Sequence, residues 1–480
     1  MKYIFLTYDG VGLPVAHKLL KEGNDVIIGQ INKLDFMKGE EELEKRRLSL
    51  YEGMIEKIDA KELIEKMRKE NTDDWFVISD FNYVYPYAEK LKKMGFKGLL
   101  PTANDFEFEK DRNMAKEYVM RRYDIFSYQD IQEFSNIKEA LNFLKNSKKI
   151  YGIKGYHSEA PTYFPMSNDR QIAYCEVEDV MINNQKLYES EGFILEEKIE
   201  DLTEFVPEIV VNNSEIVGMN IDIEYKHIGG GNTGFLTGDS ASFIFWIDKN
   251  EPAFKKLYEL FFKPSMDKWA REDEMVVWDA GVMYSPSRDK FYFSEYCSNR
   301  EGYSSLFNKL STFKNVSEYY ERIVNNQYLF DSSVKPFGNS IRVFNEIRDK
   351  NFKHLYAKNV LVLTDKDNKN IWLLDVFTRD GKLYTAGYDY NLAVLTYAGD
   401  DWKDNFCVID KVLSNGKTFV FPEMIYRRSF DLIRNDYPQN FDDRFKFVYN
   451  FIGRKKINKE AEKYPEMEEL EKLIKKIEEI

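Results

Sequence analysis

The stretch that most constrains this chain is residues 191–205, EGFILEEKIEDLTEF. Three apolar residues, Phe193, Ile194 and Leu195, run straight into Glu196 and Glu197, with Glu200, Asp201 and Glu204 close behind. A short continuous apolar run reads as a buried strand. Charge at the end of a buried strand is costly unless it meets a metal, a ribose hydroxyl or a cation. The stretch is therefore either the edge of a nucleotide site or an ordinary strand running out into an acidic surface turn. The second is the simpler account of these residues taken alone.

Their company shifts the balance. Residues 98–116 read GLLPTANDFEFEKDRNMAK, residues 231–234 GNTG, and residues 280–300 AGVMYSPSRDKFYFSEYCSNR. With the EGFILEE strand, these segments resemble, in the same order, motifs of the phosphoribosylamine–glycine ligase family of ATP-grasp enzymes. The resemblance spans the first three hundred residues or so. It implies an α/β and α+β multidomain chain: an N-terminal doubly wound pre-grasp domain over residues 1–104, then an ATP-grasp domain over 105–310. The nucleotide-binding subdomain falls at about 120–190. An α+β C-terminal domain over 311–456 and an amphipathic C-terminal helix over 457–480 complete the expectation. The activity implied is ATP-dependent ligation of a carboxylate to an amine through an acyl phosphate, with ATP and Mg²⁺ as cofactors.

Composition is consistent with that class. At 480 residues the chain exceeds the size at which a single core keeps growing. Acidic residues outnumber basic ones by 82 to 69, and no long basic block interrupts them, which argues against nucleic acid and for small-molecule substrates. Cys175, Cys297 and Cys407 lie far apart, fitting neither a disulfide framework nor a zinc site, and point to a reducing cytoplasm. The start, MKYIFLTYDG, runs directly into a strand pattern, and no eighteen apolar residues occur together, so neither export nor membrane insertion is expected. The expected state is a monomer or homodimer.

The apolar run at residues 3–6, the turn Tyr8-Asp9-Gly10-Val11-Gly12 and a helical pattern ending at Gly23 open a βαβ unit. The turn lacks the third glycine of a dinucleotide fingerprint. Where the resembled family carries arginine-glutamate-histidine and glycine-proline-glutamate turns, this chain has Val11-Gly12-Leu13 and Ser79-Asp80-Phe81. The departure bears on the amine substrate more than on the fold. Helices are expected over 61–69, 87–94 and 252–262, strands over 76–78, 276–284 and 291–296, and a hairpin over 208–220 with its turn at Asn212-Asn213. Later strands are expected over 359–364, 371–377 and 383–388.

Site residues follow from the resemblance. Arg112, on a helix capped by Asp111, stands where the family has a lysine, and Lys154 ends the strand YGIK. Both are expected to face nucleotide phosphates. Glu196, Glu197, Ile199 and Glu204 are expected to border the nucleotide, and Asn232 of the GNTG loop to serve catalysis. Glu295 is the expected metal ligand, with Asp279 or Asn299 supplying the oxygen that Cys297 cannot, because magnesium prefers hard oxygen donors. The lid segment, residues 156–165, is rich in Tyr and Pro instead of glycine, and its His157 is a surface-loop residue or an added donor. Lys154, equally, could be a lysine that merely ends a strand.

Overall fold

The structure is a computed structural model, and it describes residues 1–33, 41–156, 160–229, 233–271, 274–298, 304–344, 346–348, 354–356, 358–364, 368–389, 391–414 and 448. In chain order its first elements are β1 (Lys2–Thr7), α1 (Leu13–Lys21), β2 (Asp25–Gln30), α2 (Glu41–Ser49), β3 (Lys57–Asp59), α3 (Ala60–Met67), β4 (Trp75–Ser79), α4 (Tyr85–Lys93) and β5 (Lys97–Leu99). These strands lie parallel in the order β5-β4-β1-β2-β3. Tyr3 to Leu6 and Val77 to Ile78 are fully buried, as strands covered on both faces must be. Gly10, at φ +85°, turns the chain from β1 into α1, whose Pro14 sits in the first turn, where its missing N–H costs nothing.

Next come α5 (Ala103–Lys110), α6 (Arg112–Arg122), β6 (Ile131–Phe134), α7 (Ile137–Asn146), β7 (Tyr151–Gly155), α8 (Arg170–Asn183), α9 (Gln185–Glu191) and β8 (Phe193–Glu197). A Thr102–Asp105 capping box opens α5, and the Asp111 side chain caps α6 by accepting from Met114 N at 2.9 Å. β6, β8 and β7 form a separate antiparallel sheet with β8 in the middle.

Then follow β9 (Thr203–Asn212), β10 (Glu215–Gly229), β11 (Thr233–Trp246), α10 (Pro252–Leu257), α11 (Met266–Trp269), β12 (Met275–Ser285), β13 (Lys290–Ser298), α12 (Ser304–Ser311) and α13 (Val316–Val324). The last are β14 (Phe337–Phe344), β15 (Glu346–Arg348), β16 (His354–Tyr356), β17 (Leu361–Val362), β18 (Ile371–Leu373), β19 (Val376–Arg379), β20 (Lys382–Thr385), β21 (Asn391–Gly399) and α14 (Trp402–Ser414). One sheet runs β18-β21-β14-β11-β10-β9-β12-β5-β4-β1-β2-β3, with β13 on β12. It passes without a break from the N-terminal strands through residues 203–298 to β14, β21 and β18.

Several local expectations shift. The β9–β10 turn is one residue later than expected, because Asn213 (φ 49°) and Ser214 (φ 67°) both take the left-handed conformation of a two-residue hairpin turn. The helix expected over 252–262 changes at Tyr258 into a π-helical turn. The strand expected over 371–377 is broken into β18 and β19, which join different sheets. At the break, Asp375 accepts the backbone N–H groups of Gly387, Tyr388 and Asp389. Only Leu361–Val362 of the stretch 359–364 is a strand. The tail helix expected over 457–480 lies outside the described residues.

Candidate functional site: the end of the central β8 strand

β8 carries its apolar run into the body, and both of its terminal carboxylates are buried. Alternation along the strand sends Glu196 and Glu197 to opposite faces. Glu196 lies opposite Gly152 of β7, so its diagonal neighbour on the same face is Lys154. Its Oε2 meets Lys154 Nζ at 2.9 Å and Lys116 Nζ, from α6, at 3.0 Å. Burial raises the Glu196 pKa, but the two ammonium groups outweigh it and hold the carboxyl at about 2. Lys154 is itself 8% exposed, so it is a buried member of this triad and not a strand end lying on the surface.

Glu197 meets Lys149 at 2.9 Å and Arg288, from the β12–β13 turn, at 3.1 Å. Asp201, next along, accepts from Ser285 Oγ at 2.8 Å and Ser287 N at 2.7 Å. These contacts tie the end of β8 to the large sheet. Ile199 is buried between them in sequence. Glu196 and Glu197, two of the three glutamates expected to border a nucleotide, are thus each already paired with cations.

The lid segment has its own packing. Tyr163 pairs with Ile153 on the β7 edge, with N···O distances of 2.8 and 2.9 Å. Phe164 then lies on Gly152, where any Cβ would come within 2.4 Å of its ring, and the Lys154 ammonium stands 5.3 Å from the same ring. Gly152 is there to admit that ring. His157 lies outside the described residues.

A second charged cluster occupies one face of the large sheet. Lys226 of β10 meets Glu204 of β9 at 2.8 Å and Glu224 at 3.4 Å. Burial lowers the pKa of Lys226, but Glu204, Glu224 and Glu295 together raise it well above the ordinary value. Glu224 is pushed up to about 7: burial lifts it, Lys226 opposes, and Asp239 and Glu204 lift it again. Asp222 is raised for the same reasons, burial first and then Glu224, Asp239 and Glu208. Glu208 is held by Lys309 of α12 at 2.7 Å.

Asp279 pairs directly with Cys297 across β12 and β13, which puts both side chains on one face, and Glu295 lies two residues before Cys297, at an irregularity in the pairing. Magnesium wants six oxygen donors and is commonly held by one or two carboxylates plus substrate phosphates. Among the described residues no group of three or more His, Cys, Asp or Glu could hold a metal ion. Asn299 and Asn232 lie outside the described residues, as does the Arg112 side chain.

Of the residues singled out in the sequence, Lys154 and Glu196 come together, while Glu204 and Glu295 gather around Lys226. Lys116, Lys226 and Arg288 were not singled out for the site. Arg112 and Lys116 are one helical turn apart on α6.

The architecture, a parallel N-terminal sheet continued by a large antiparallel sheet with a small β6-β8-β7 sheet beside it, is the ATP-grasp fold. Among solved structures, phosphoribosylamine–glycine ligase of Thermotoga maritima is similar at a TM-score of 0.59 and 13% identity, covering 89% of this chain and 99% of that one. The biotin carboxylase domain of Hydrogenobacter thermophilus 2-oxoglutarate carboxylase, a dimer in complex with MgADP and bicarbonate, is similar at 0.60 and 11%, covering 93% and 98%. L-amino acid ligase from Bacillus licheniformis is similar at 0.51 and 13%, covering 88% and 99%. No family model matches the sequence, and no curated protein matches it. Among the described residues no helix is long and apolar enough to cross a membrane.

Proposed function

We propose that this chain is an ATP-dependent ligase that joins a carboxylate to an amine through an acyl-phosphate intermediate. The observation that carries the reading is the convergence of Lys116 and Lys154 on Glu196 at the end of β8, within an ATP-grasp fold. An ammonium has three N–H donors, and Glu196 uses one from Lys154, so that lysine retains donors for phosphate oxygens. Phosphoryl transfer is helped chiefly by positioning and by offsetting the charge on the transferring group. Lys116 and Lys154 do this on one side, and Lys226 in its acidic setting does so near Glu295. Ile199, Glu197 and Glu204 border the nucleotide in this reading, Arg112 and Asn232 assist at the phosphates, and Glu295, Asp279 and Asn299 supply oxygens to a nucleotide-borne Mg²⁺. Glycine and phosphoribosylamine are the first pair to test, and a different amine acceptor is the alternative.

The test is ADP and phosphate release across carboxylate and amine pairs. Release that needs both partners and vanishes in Lys154→Ala supports the reading. Absence of any binding of Mg·ATP to the folded protein overturns it. A second reading, nucleotide binding without turnover, is favoured by Phe164 lying against Lys154 and by Cys297 beside Asp279. It predicts Mg·ATP binding with no ADP release from any pair.

A further inference from the structure

Open parallel sheets bind ligands outside the carboxyl ends of their strands, at the point where strand order reverses. Here that point lies between β1 and β4, since the chain builds β1, β2 and β3 to one side and β4 and β5 to the other. The parallel pairing sets Leu6 beside Ser79, so the segments leaving the two strands, Thr7 to Asp9 and Asp80 to Asn82, meet across the crevice. Two carboxylates converge there. Asp80 is 0% exposed: its Oδ2 accepts from the Thr7 hydroxyl, and its carboxyl also meets the Tyr8 N–H and the Asp9 carboxyl. Asp9 accepts from the Tyr83 hydroxyl and from Val11 N at 3.3 Å, and it keeps part of its surface open to solvent. The Asn82 Oδ1, also buried, is an acceptor without a donor.

Among the described residues no cation contacts this pair directly. Arg47, whose charge acts on Asp9, is committed elsewhere: to Glu44 at 2.6 Å, to the carbonyl oxygens of Tyr8, Ile31 and Asn32, and to the face of the Tyr8 ring at 3.9 Å. Two other described charged groups beside the pair are acidic. Glu109 accepts from Asn82 Nδ2 at 2.7 Å, and Asp389 raises the pKa of Asp9. The walls are aromatic: Tyr83 stacks on Phe81 at 4.8 Å and meets Tyr8 edge-on at 5.9 Å. Asn82 Nδ2 also reaches Ser298 at the end of β13, at 3.1 Å, so the crevice adjoins the strand that bears Glu295 and Cys297.

Two carboxylates with an orphaned buried acceptor and aromatic walls suit a cationic group and repel an anionic one. We infer that Asp9 and Asp80 receive the protonated primary amino group of the second substrate, and that this substrate carries no phosphate. The inference rests on the ligase reading and deepens it: the amine side of the reaction is a small, unphosphorylated amine, not a sugar-phosphate amine. Its position beside β13 brings that amine next to the strand whose Glu295 is assigned to the nucleotide-borne Mg²⁺.

The test is calorimetric titration of the wild type, Asp9→Asn and Asp80→Asn with ethanolamine, glycinamide and putrescine, each with and without a saturating non-hydrolysable Mg·ATP analogue. At least one amine is expected to bind the wild type and to bind the variants about tenfold or more weakly, while the analogue binds all three proteins equally. Should Asp80→Asn fail to fold, Asp9→Asn, at the partly exposed member, decides alone. Failure of every amine to bind, equal binding to wild type and Asp9→Asn, or a preference of the crevice for ribose 5-phosphate or for Mg²⁺ alone would each overturn the inference. The analogue's own titration reports separately on the ligase reading, which falls only if the analogue does not bind.

Discussion

Glu196 and Asp80 are both carboxylates with almost no exposed surface, and they have opposite fates. At the end of β8, Glu196 has two ammonium groups within 3.0 Å, and its pKa is depressed to about 2. At the end of β4, Asp80 has another carboxyl as its nearest charge, and burial followed by Asp9 pushes its pKa well up. Asp9 itself is raised to about 6, burial being the main cause against the Tyr83 and Val11 hydrogen bonds. Depth is common to both places, so depth does not set the charge; the partner does. One end is completed by protein cations, and at the other the described residues bring no cation into contact with the pair.

The sharpest way to break that contrast is Glu196→Ala. It removes the carboxylate that Lys116 and the buried Lys154 share, and is expected to cost about 3–5 kcal/mol in urea unfolding. A loss below about 1 kcal/mol would mean that both ammonium groups find water and that the triad is not a unit.

Acid gives the next largest effect. Because the folded pKa of Glu196 lies below its ordinary 4.5, its contribution is present above pH 4.5 and lost as pH falls toward 2. The loss is about 3 kcal/mol. Glu196→Gln should show a shallower acid limb in the same window, and an unchanged limb would contradict the assignment. Asp9 runs the other way. Its folded pKa lies above its ordinary 3.8, so its contribution is present below pH 3.8 and lost as pH rises through about 6. Asp9→Asn is therefore expected to stabilise the ligand-free protein at pH 8, by about 1–2 kcal/mol, and to flatten the profile between pH 4 and 7. Destabilisation at pH 8 would show that a protein cation had been serving Asp9.

The smallest effect should come from the other face of β8. Lys149, 47% exposed, pairs with Glu197, and solvent screening should keep Lys149→Ala within about 1 kcal/mol. A cost matching that of Glu196→Ala would erase the distinction between the inner and outer carboxylates of the strand.

The sequence shows the β8 strand and its carboxylates plainly, because an apolar run ending in charge is a local pattern. It shows Lys154 because a lysine ends a strand of the same small sheet. Lys116 is harder to pick out, since only the packing of α6 against Glu196 marks it. The Asp9–Asp80 pair is not visible as a pair: each stands in its own turn, and the parallel β1–β4 register brings them together. The same holds for β14 and β21. Their antiparallel pairing joins Phe337 to Gly399 across a long intervening segment, and carries the large sheet into a region whose sequence suggests only separate strands and turns.

The proposed binding of ATP phosphates by Lys116 and Lys154 is tested by Mg·ATP affinity, measured by calorimetry on wild type, Lys116→Ala and Lys154→Ala. Each variant retains one lysine on Glu196 and should remain folded. The account predicts that both bind Mg·ATP about tenfold or more weakly than the wild type, with AMP affinity less affected. Unchanged Mg·ATP affinity in both folded variants would contradict it and leave the triad as a buried structural ion pair.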